Sequence, residues 1–306
     1  MILVIGSANI DFVTQAPDIP RAGETVLGRS LTLFPGGKGA NQAVACAKAG
    51  GAETHFLSAM GSDMFAETLK GALQAAGVFD HSLTLADEPT GSAFICVSDH
   101  GENAITVVPG ANFALTPERA IQAARPLLAR ADCRWVLLQS EIPTETNTAL
   151  ASLAKAAGIR VALNAAPAND LPNALLATID ILIVNAIELE TIVSQRAPGL
   201  TTIADQIRTL PTPTVVVTLG AEGCWLKEPD GTQQQTPAFS VDAIDTTGAG
   251  DAFAGAFVAA IDQGATSQEA VRFASAVGAI ACTALGAQSS TPTREAVDAF
   301  LRRHAP

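Results

Sequence analysis

The segment Asp245-Thr246-Thr247-Gly248-Ala249-Gly250-Asp251-Ala252-Phe253 sets two glycines and a carboxylic acid immediately before an Ala-rich apolar run. Glycines at 248 and 250 let the backbone turn tightly and expose its amides. If the run after Asp251 is a helix, those amides lie at its N-terminus, where unpaired N–H groups and the helix dipole bind anions. A carboxylate in that first turn can act as a base beside a bound phosphate, or merely stabilise the helix start. A second segment, Gly36-Gly37-Lys38-Gly39-Ala40-Asn41-Gln42, also opens an Ala-rich stretch. Lys38 is followed by glycine and not Ser/Thr, so it is not a Walker A loop, and Gln42 breaks a dinucleotide fingerprint. It reads either as a turn before a helix or as backbone approaching a polyhydroxyl ligand, with Lys38 and Asn41 as hydrogen-bonding groups. The third segment, Gly6-Ser7-Ala8-Asn9-Ile10-Asp11, directly follows the first apolar run, where α/β proteins bind ligands. Glu141, before Pro143, reads as a solvated loop residue or as an acceptor for ligand hydroxyls.

Other chemistries find no support. His55, His81, His100 and His304 are scattered, with no metal-ligand spacing among them. No serine sits in a G-x-S-x-G elbow. The five cysteines form no CxxC pair and are odd in number. With no secretory signal at Met1 to Gly6, they read as buried thiols in a reducing compartment, and a cytoplasmic location is expected. Eighteen Lys+Arg against thirty Asp+Glu give a net charge of −12, which argues against nucleic acid or an anionic membrane as partner. No apolar stretch reaches the roughly 18 residues of a membrane span; stretches 252–261 and 276–285 read as buried helices.

The elements that must position these groups alternate. Short apolar runs at 2–5, 54–59, 135–139, 160–163, 179–184 and 214–219 are separated by helical stretches at 38–49, 66–76, 117–128, 144–157 and 203–210. Strands apolar throughout and separated by helices imply a doubly wound, mainly parallel α/β sheet covered on both faces. A single domain over residues 1–306 is expected. Residues 12–34 and 91–108, the latter a hairpin around 98–103, break the alternation and could form a small β lid. Stretches 91–97 and 104–108 carry more apolar side chains than a lone sheet can bury, so a homodimer through the lid is expected.

Taken together, the glycine motif near residue 37 and the Asp-Thr-Thr-Gly-Ala-Gly-Asp segment resemble the two signatures of the PfkB-type carbohydrate kinases, ribokinase branch. Gly110-Ala111-Asn112, Leu163-Asn164-Ala165-Ala166-Pro167-Ala168, Asn185-Ala186-Ile187-Glu188, Thr218-Leu219-Gly220-Ala221-Glu222-Gly223 and Gly286-Ala287-Gln288 fit as well, so the resemblance spans essentially the whole chain. It implies a ribokinase-like fold and transfer of phosphate from ATP, with Mg²⁺ and a stimulating K⁺, to a small sugar. Ribose is the expected sugar; deoxyribose, a ketohexose or a nucleoside is the alternative, and a catalytically silent sugar-binding protein is a rival of another class. By the same resemblance Asp251 is the base, and the amides of Gly248, Ala249 and Gly250 are the anion hole. Asn9, Asp11, Gly37, Lys38, Asn41 and Glu141 form the sugar-binding set. Asn185 and Glu188 organise Mg-ATP, and Thr218, Leu219, Gly220, Ala221, Glu222 and Gly223 form the nucleotide loop. Asp245 and Thr247, with Ala281, Ala284, Gly286 and Ser290, form a monovalent-cation site built largely of carbonyls. Ser275 stands where relatives often carry His near the adenine, and Ala166 replaces a common Pro.

Overall fold

The structure, a computed structural model, describes residues 1–168 and 171–304. Its main sheet has nine strands in the spatial order Gln233–Thr236, Cys224–Lys227, Thr214–Thr218, Ile181–Asn185, Arg160–Asn164, Trp135–Gln139, Ile2–Ile5, Thr54–Leu57 and Phe79–Asp80. The seven from Thr214–Thr218 to Phe79–Asp80 run parallel, and the first two are antiparallel to their neighbours. Side chains alternate across a strand. Ile2 and Val4 therefore enter one core while Leu3 and Ile5 enter the other, and all four are fully buried. This is why the strands read as apolar throughout.

One face is covered by helices that include Lys38–Lys48, Met64–Ala75, Ala249–Asp262 and Ser267–Ala281; the other by Pro117–Leu128 and Thr144–Ala156, among others. Two of these helices nearly touch. A Cβ on Gly255 would overlap the carbonyl of Gln42 and lie 2.7 Å from the Ala45 Cβ. The helices of the two glycine motifs are thereby locked together.

Polar residues occupy the carboxyl end of four neighbouring parallel strands. Gln139, Asn164, Asn185 and Thr218 each end their strand, and the register sets Gln139 beside Asn164 and Asn185 beside Thr218. Ligands of open α/β sheets bind at this edge.

The lid forms as a four-stranded sheet in the order Ser30–Gly36, Asn9–Ala16, Gly91–Ser98, Asn103–Val108. Phe12 anchors it, stacking on Phe94 at 5.0 Å and meeting Phe65 of the helix Met64–Ala75 edge-on at 5.4 Å. Asp11, one residue earlier, points from the opposite face, in one row with Phe34, Ala93 and Val107.

Three expectations need correction. The run 54–59 is not one strand: Thr54–Leu57 stays in the main sheet, while Ala59–Met60 leaves to pair with Leu83–Thr84. The second buried helix is Ser267–Ala281 and does not reach 285. The chain turns at Cys282, whose carbonyl accepts the amides of Ile244 (2.8 Å) and Asp245 (3.1 Å). The antiparallel edge strands Cys224–Lys227 and Gln233–Thr236 carry no continuous apolar signature and were not anticipated.

Candidate active site

Asp251 lies in the first turn of Ala249–Asp262 and is 5 % exposed. Asn41 donates Nδ2–H to its Oδ2 at 3.0 Å, and Gln42 donates Nε2–H to its Oδ1 at 2.9 Å. The helix begins at Gly248, whose left-handed φ of 74° favours glycine and whose missing Cβ leaves room for Ala287. Ala249 donates its amide to the Thr246 carbonyl at 3.2 Å, so within this turn it is already engaged. Gly250 faces open space, with nothing within 4 Å of where a Cβ would stand. A helix leaves its first amides unpaired, so this open side suits an anion.

Across from this turn lies a polar pocket made by strand ends and the lid. Asn112 donates Nδ2–H to the Asn9 Oδ1 at 2.8 Å and accepts the Ala8 amide at 3.0 Å. The Asn9 oxygen is thus occupied, and its own amide is left to donate. The Gly36 and Gly37 positions are filled against Asp11 and against the Ala8–Asn9 backbone respectively, so side chains there would close the pocket. Glu141 receives the Ser7 hydroxyl at 2.6 Å and the Lys38 amide at 3.0 Å, both on Oε2. Asn41 Oδ1 is buried without a protein partner. The pocket thus offers acceptors and donors in the mixture that hydroxyls require.

Charge in the pocket is unbalanced. The Asp251 carboxylate above all holds the Lys38 ammonium above its ordinary value, against the effect of burial, with Glu141, Glu188 and Asp11 adding to the rise. Burial pushes the Asp11 carboxyl up to about 7; Glu141 and Asp251 reinforce this and Lys38 opposes it. Burial likewise raises Glu188, which lies in a capping box with Asn185: each accepts the other's backbone amide at 2.8 Å.

A cavity of about 200 Å³ joins Lys38, Asn185, Glu188, Thr218, Gly250 and Asp251. It shares Thr218, Thr246 and Gly250 with a larger groove of about 490 Å³. The groove's walls are mainly apolar, with Phe239, Val241, Phe253 and Ala279 among them, and Ser275 lies within it. Thr218, Gly220, Ala221 and Gly223 of the proposed nucleotide loop line it, whereas Leu219 and Glu222 do not. A flat heterocycle fits the apolar groove, and a phosphate chain fits the polar end.

Asp245 organises the loop that follows Ser267–Ala281. Its Oδ1 accepts the Thr247 amide and its Oδ2 the Gly286 amide, both at 2.9 Å. Burial alone would raise this carboxyl, but these hydrogen bonds outweigh it and hold the group below its ordinary value. Ala284 donates to the Ala281 carbonyl at 3.4 Å, and Ser290 donates its hydroxyl to the Ala287 carbonyl at 3.3 Å. The residues expected to hold a monovalent cation thus come from two segments, 245–247 and 281–290, joined by the Asp245 carboxylate.

The pfkB family carbohydrate kinase model matches residues 1–294 of the chain. The chain belongs to the pfkB family of carbohydrate kinases. It is 39% identical to the ribokinase of Haemophilus influenzae over 302 residues, covering 97% of each chain. Among solved structures, the ribokinase of Thermotoga maritima superposes with a TM-score of 0.88 at 36% identity, covering 99% of both chains. The ribokinase of Arabidopsis thaliana complexed with ribose and ATP superposes with a TM-score of 0.87 at 33% identity, covering 98% of both.

In this carbohydrate kinase Asp11, Lys38, Glu141 and Asp251 lie within electrostatic reach of one another, Asn41 bonds to Asp251, and Asn9 opens the strand that carries Asp11. The structure also brings in residues the sequence did not single out. Asn112 fixes Asn9, Gln42 donates to both Asp251 and Asn164, and Thr246 lines both cavities. Each of these lay in or beside a recognised motif, but only packing shows that their side chains turn inward.

The raised Asp11 carboxyl makes folding pH-dependent. The folded chain keeps the Asp11 proton from its ordinary value of 3.8 up to about 7, where the unfolded chain has lost it. Stability therefore falls as pH rises through that window. Asp11→Asn removes the liability and should stabilise the ligand-free enzyme by about 1–3 kcal/mol above pH 7, with the gain vanishing toward pH 3.8. Urea unfolding of both proteins across this range measures it; a gain independent of pH would contradict the assignment.

Proposed function

We propose that this kinase transfers the terminal phosphate of ATP to the 5-hydroxyl of D-ribose, giving D-ribose 5-phosphate and ADP. The observation that carries the reading is the position of Asp251. It lines the polar cavity, next to Gly250, which that cavity shares with the apolar-walled groove, and its Oδ2 accepts from Asn41. The likeness to the Haemophilus and Arabidopsis ribokinases supports ribose as the sugar.

Phosphoryl transfer asks a protein for positioning and charge neutralisation. Asn9, Asp11, Asn41 and Glu141 hold the sugar hydroxyls, and a deoxy analogue would leave some of these buried groups unpaired. Asp251 takes the proton of the primary hydroxyl as that oxygen bonds to the γ-phosphorus and the bond to ADP breaks. The amides of Gly248 and Gly250 receive charge on the transferring group, that of Ala249 being held by the Thr246 carbonyl, and the Lys38 ammonium lies close by. Asp11, Glu141, Glu188 and Asp251 outnumber Lys38, so an incoming polyphosphate needs further positive charge. Among the described residues no cluster of three or more His, Cys, Asp or Glu side chains could hold a metal alone. Asn185 and Glu188 would hold Mg²⁺ jointly with the phosphates, whose charge the ion would neutralise.

The single carboxylate of Asp245 among neutral carbonyl donors fits a large monovalent cation such as K⁺. Held there, it would fix the loop against which Gly248 packs. All five cysteines are free, consistent with a cytoplasmic enzyme. The lid leaves Leu31, Leu33, Phe94, Ile105, Val107 and Val108 exposed along strands that include both its edges, which supports a homodimer through this sheet.

Three measurements test these statements. In a panel of pentoses, hexoses and nucleosides, ribose should show the highest kcat/KM, and Asp251→Asn should lower kcat by at least about 10²-fold while sugar binding changes far less. A better nucleoside, ketohexose or deoxyribose substrate overturns the sugar assignment, and a near wild-type Asp251→Asn overturns the base. Replacing K⁺ by Na⁺ or a bulky organic cation should lower kcat; equal rates in all three salts contradict the cation site. Light scattering at micromolar concentration should give twice the chain mass, and a clean monomer would refute the lid dimer.

A further inference from the structure

Gln42 is fully buried, and both polar atoms of its side chain are hydrogen-bonded. Its Nε2 donates to Asp251 Oδ1 at 2.9 Å and to Asn164 Oδ1 at 2.8 Å; its Oε1 accepts from Gln139 Nε2 at 2.9 Å. An amide can be turned either way, but here the neighbours decide. Asn164 donates its own Nδ2 to the Ile183 carbonyl at 3.0 Å, so its oxygen must face Gln42. That oxygen can only accept, so Gln42 must present its NH₂ group on this side and its oxygen to Gln139. Gln139 is in turn held through its backbone, whose carbonyl accepts Asn147 Nδ2 at 2.7 Å. The orientation of the whole chain is therefore set by backbone carbonyls at the sheet's carboxyl edge, and it ends on Asp251.

We infer that Gln42 is the positioning residue of this kinase: its side-chain N–H, donated to Oδ1, fixes the orientation of the Asp251 carboxylate. The inference rests on the assignment of Asp251 as the base. Asn41 holds the other oxygen, but Asn41 also lines the sugar pocket, whereas Gln42 is enclosed behind the carboxylate and bonds to other protein groups. Its contribution should therefore be to the proton acceptor and not to sugar affinity. A hydrogen bond donated to a carboxylate stabilises the ionised state, so its loss lets protons compete to higher pH.

Gln42→Met keeps length and apolar volume while removing the donor. In that variant kcat should fall by about 10- to 100-fold, ribose and nucleotide binding by calorimetry should change by less than about threefold, and the acid limb of the kcat–pH profile should move to higher pH. Gln139→Met, which only frees the Gln42 oxygen, should move that limb in the same direction by less. If Gln42→Met does not fold, Gln139→Met alone decides by this shift. An acid limb unmoved in the folded variants, or a loss confined to sugar affinity, overturns the inference. Asp251→Asn separates it from the assignment beneath it. An active Asp251→Asn removes the base, whereas an inactive one beside an unmoved acid limb removes only the role of Gln42.

Discussion

A carboxylate almost closed off from water must be met by donors, and this molecule is arranged around meeting one. Taking such a group out of water costs several kcal/mol, and each hydrogen bond to a charged group returns roughly 1.5–3 kcal/mol. Asp251 has two side-chain amides on its two oxygens, both from the single helix Lys38–Lys48. That helix can supply them only because Gly255 lets it lie against Ala249–Asp262, and because Gly39 lets it approach the Ser7 backbone, where a Cβ would come within 2.6 Å of the Ser7 nitrogen. The glycines of the first motif thus serve a carboxylate about 210 residues away in sequence.

The same geometry sorts the site into two ends. The polar ends of the parallel strands supply amides and a hydroxyl to the cavity that Lys38 and Asp251 line, while the lid strand supplies Asn9 and Asp11. Lys38 lies between, its charge held by four carboxylates. Burial above all keeps the proton on Asp11 to near neutrality, and the excess of negative charge from Glu141 and Asp251 reinforces it.

Much of this was legible in the sequence. Fully apolar runs between helical stretches gave the parallel sheet, and the break in alternation at 12–34 and 91–108 gave the lid. The three glycine-containing motifs gave most of the pocket. What escaped had physical reasons. Gln233–Thr236 is a strand of Gln and Thr whose pairing comes from its neighbour Cys224–Lys227 and not from a pattern of its own. The departure of Ala59–Met60 from the main sheet follows a pairing with Leu83–Thr84 some 24 residues on. Gln42, Gln139, Asn112 and Asn164 look in sequence like ordinary polar residues at turns and strand ends. Their burial is a property of the packed molecule alone, since an amide faces inward only when every partner is already in place.

The attachment of the lid has a further consequence. It departs from the main sheet through Gly6, Ser7 and Ala8, which are tied to Glu141 and Asn112, and returns at Gly36 and Gly37. Between these fixed points the chain runs outward to the turn at residues 17–29 and the hairpin tip at 99–102, both largely exposed and joined by the surface pair Arg29–Asp99. Surface pairs of this kind contribute little to stability. Changes of length or composition at the rim of the lid should therefore cost little stability, whereas changes at its fixed points would disturb the backbone that holds Asn9 and Asp11.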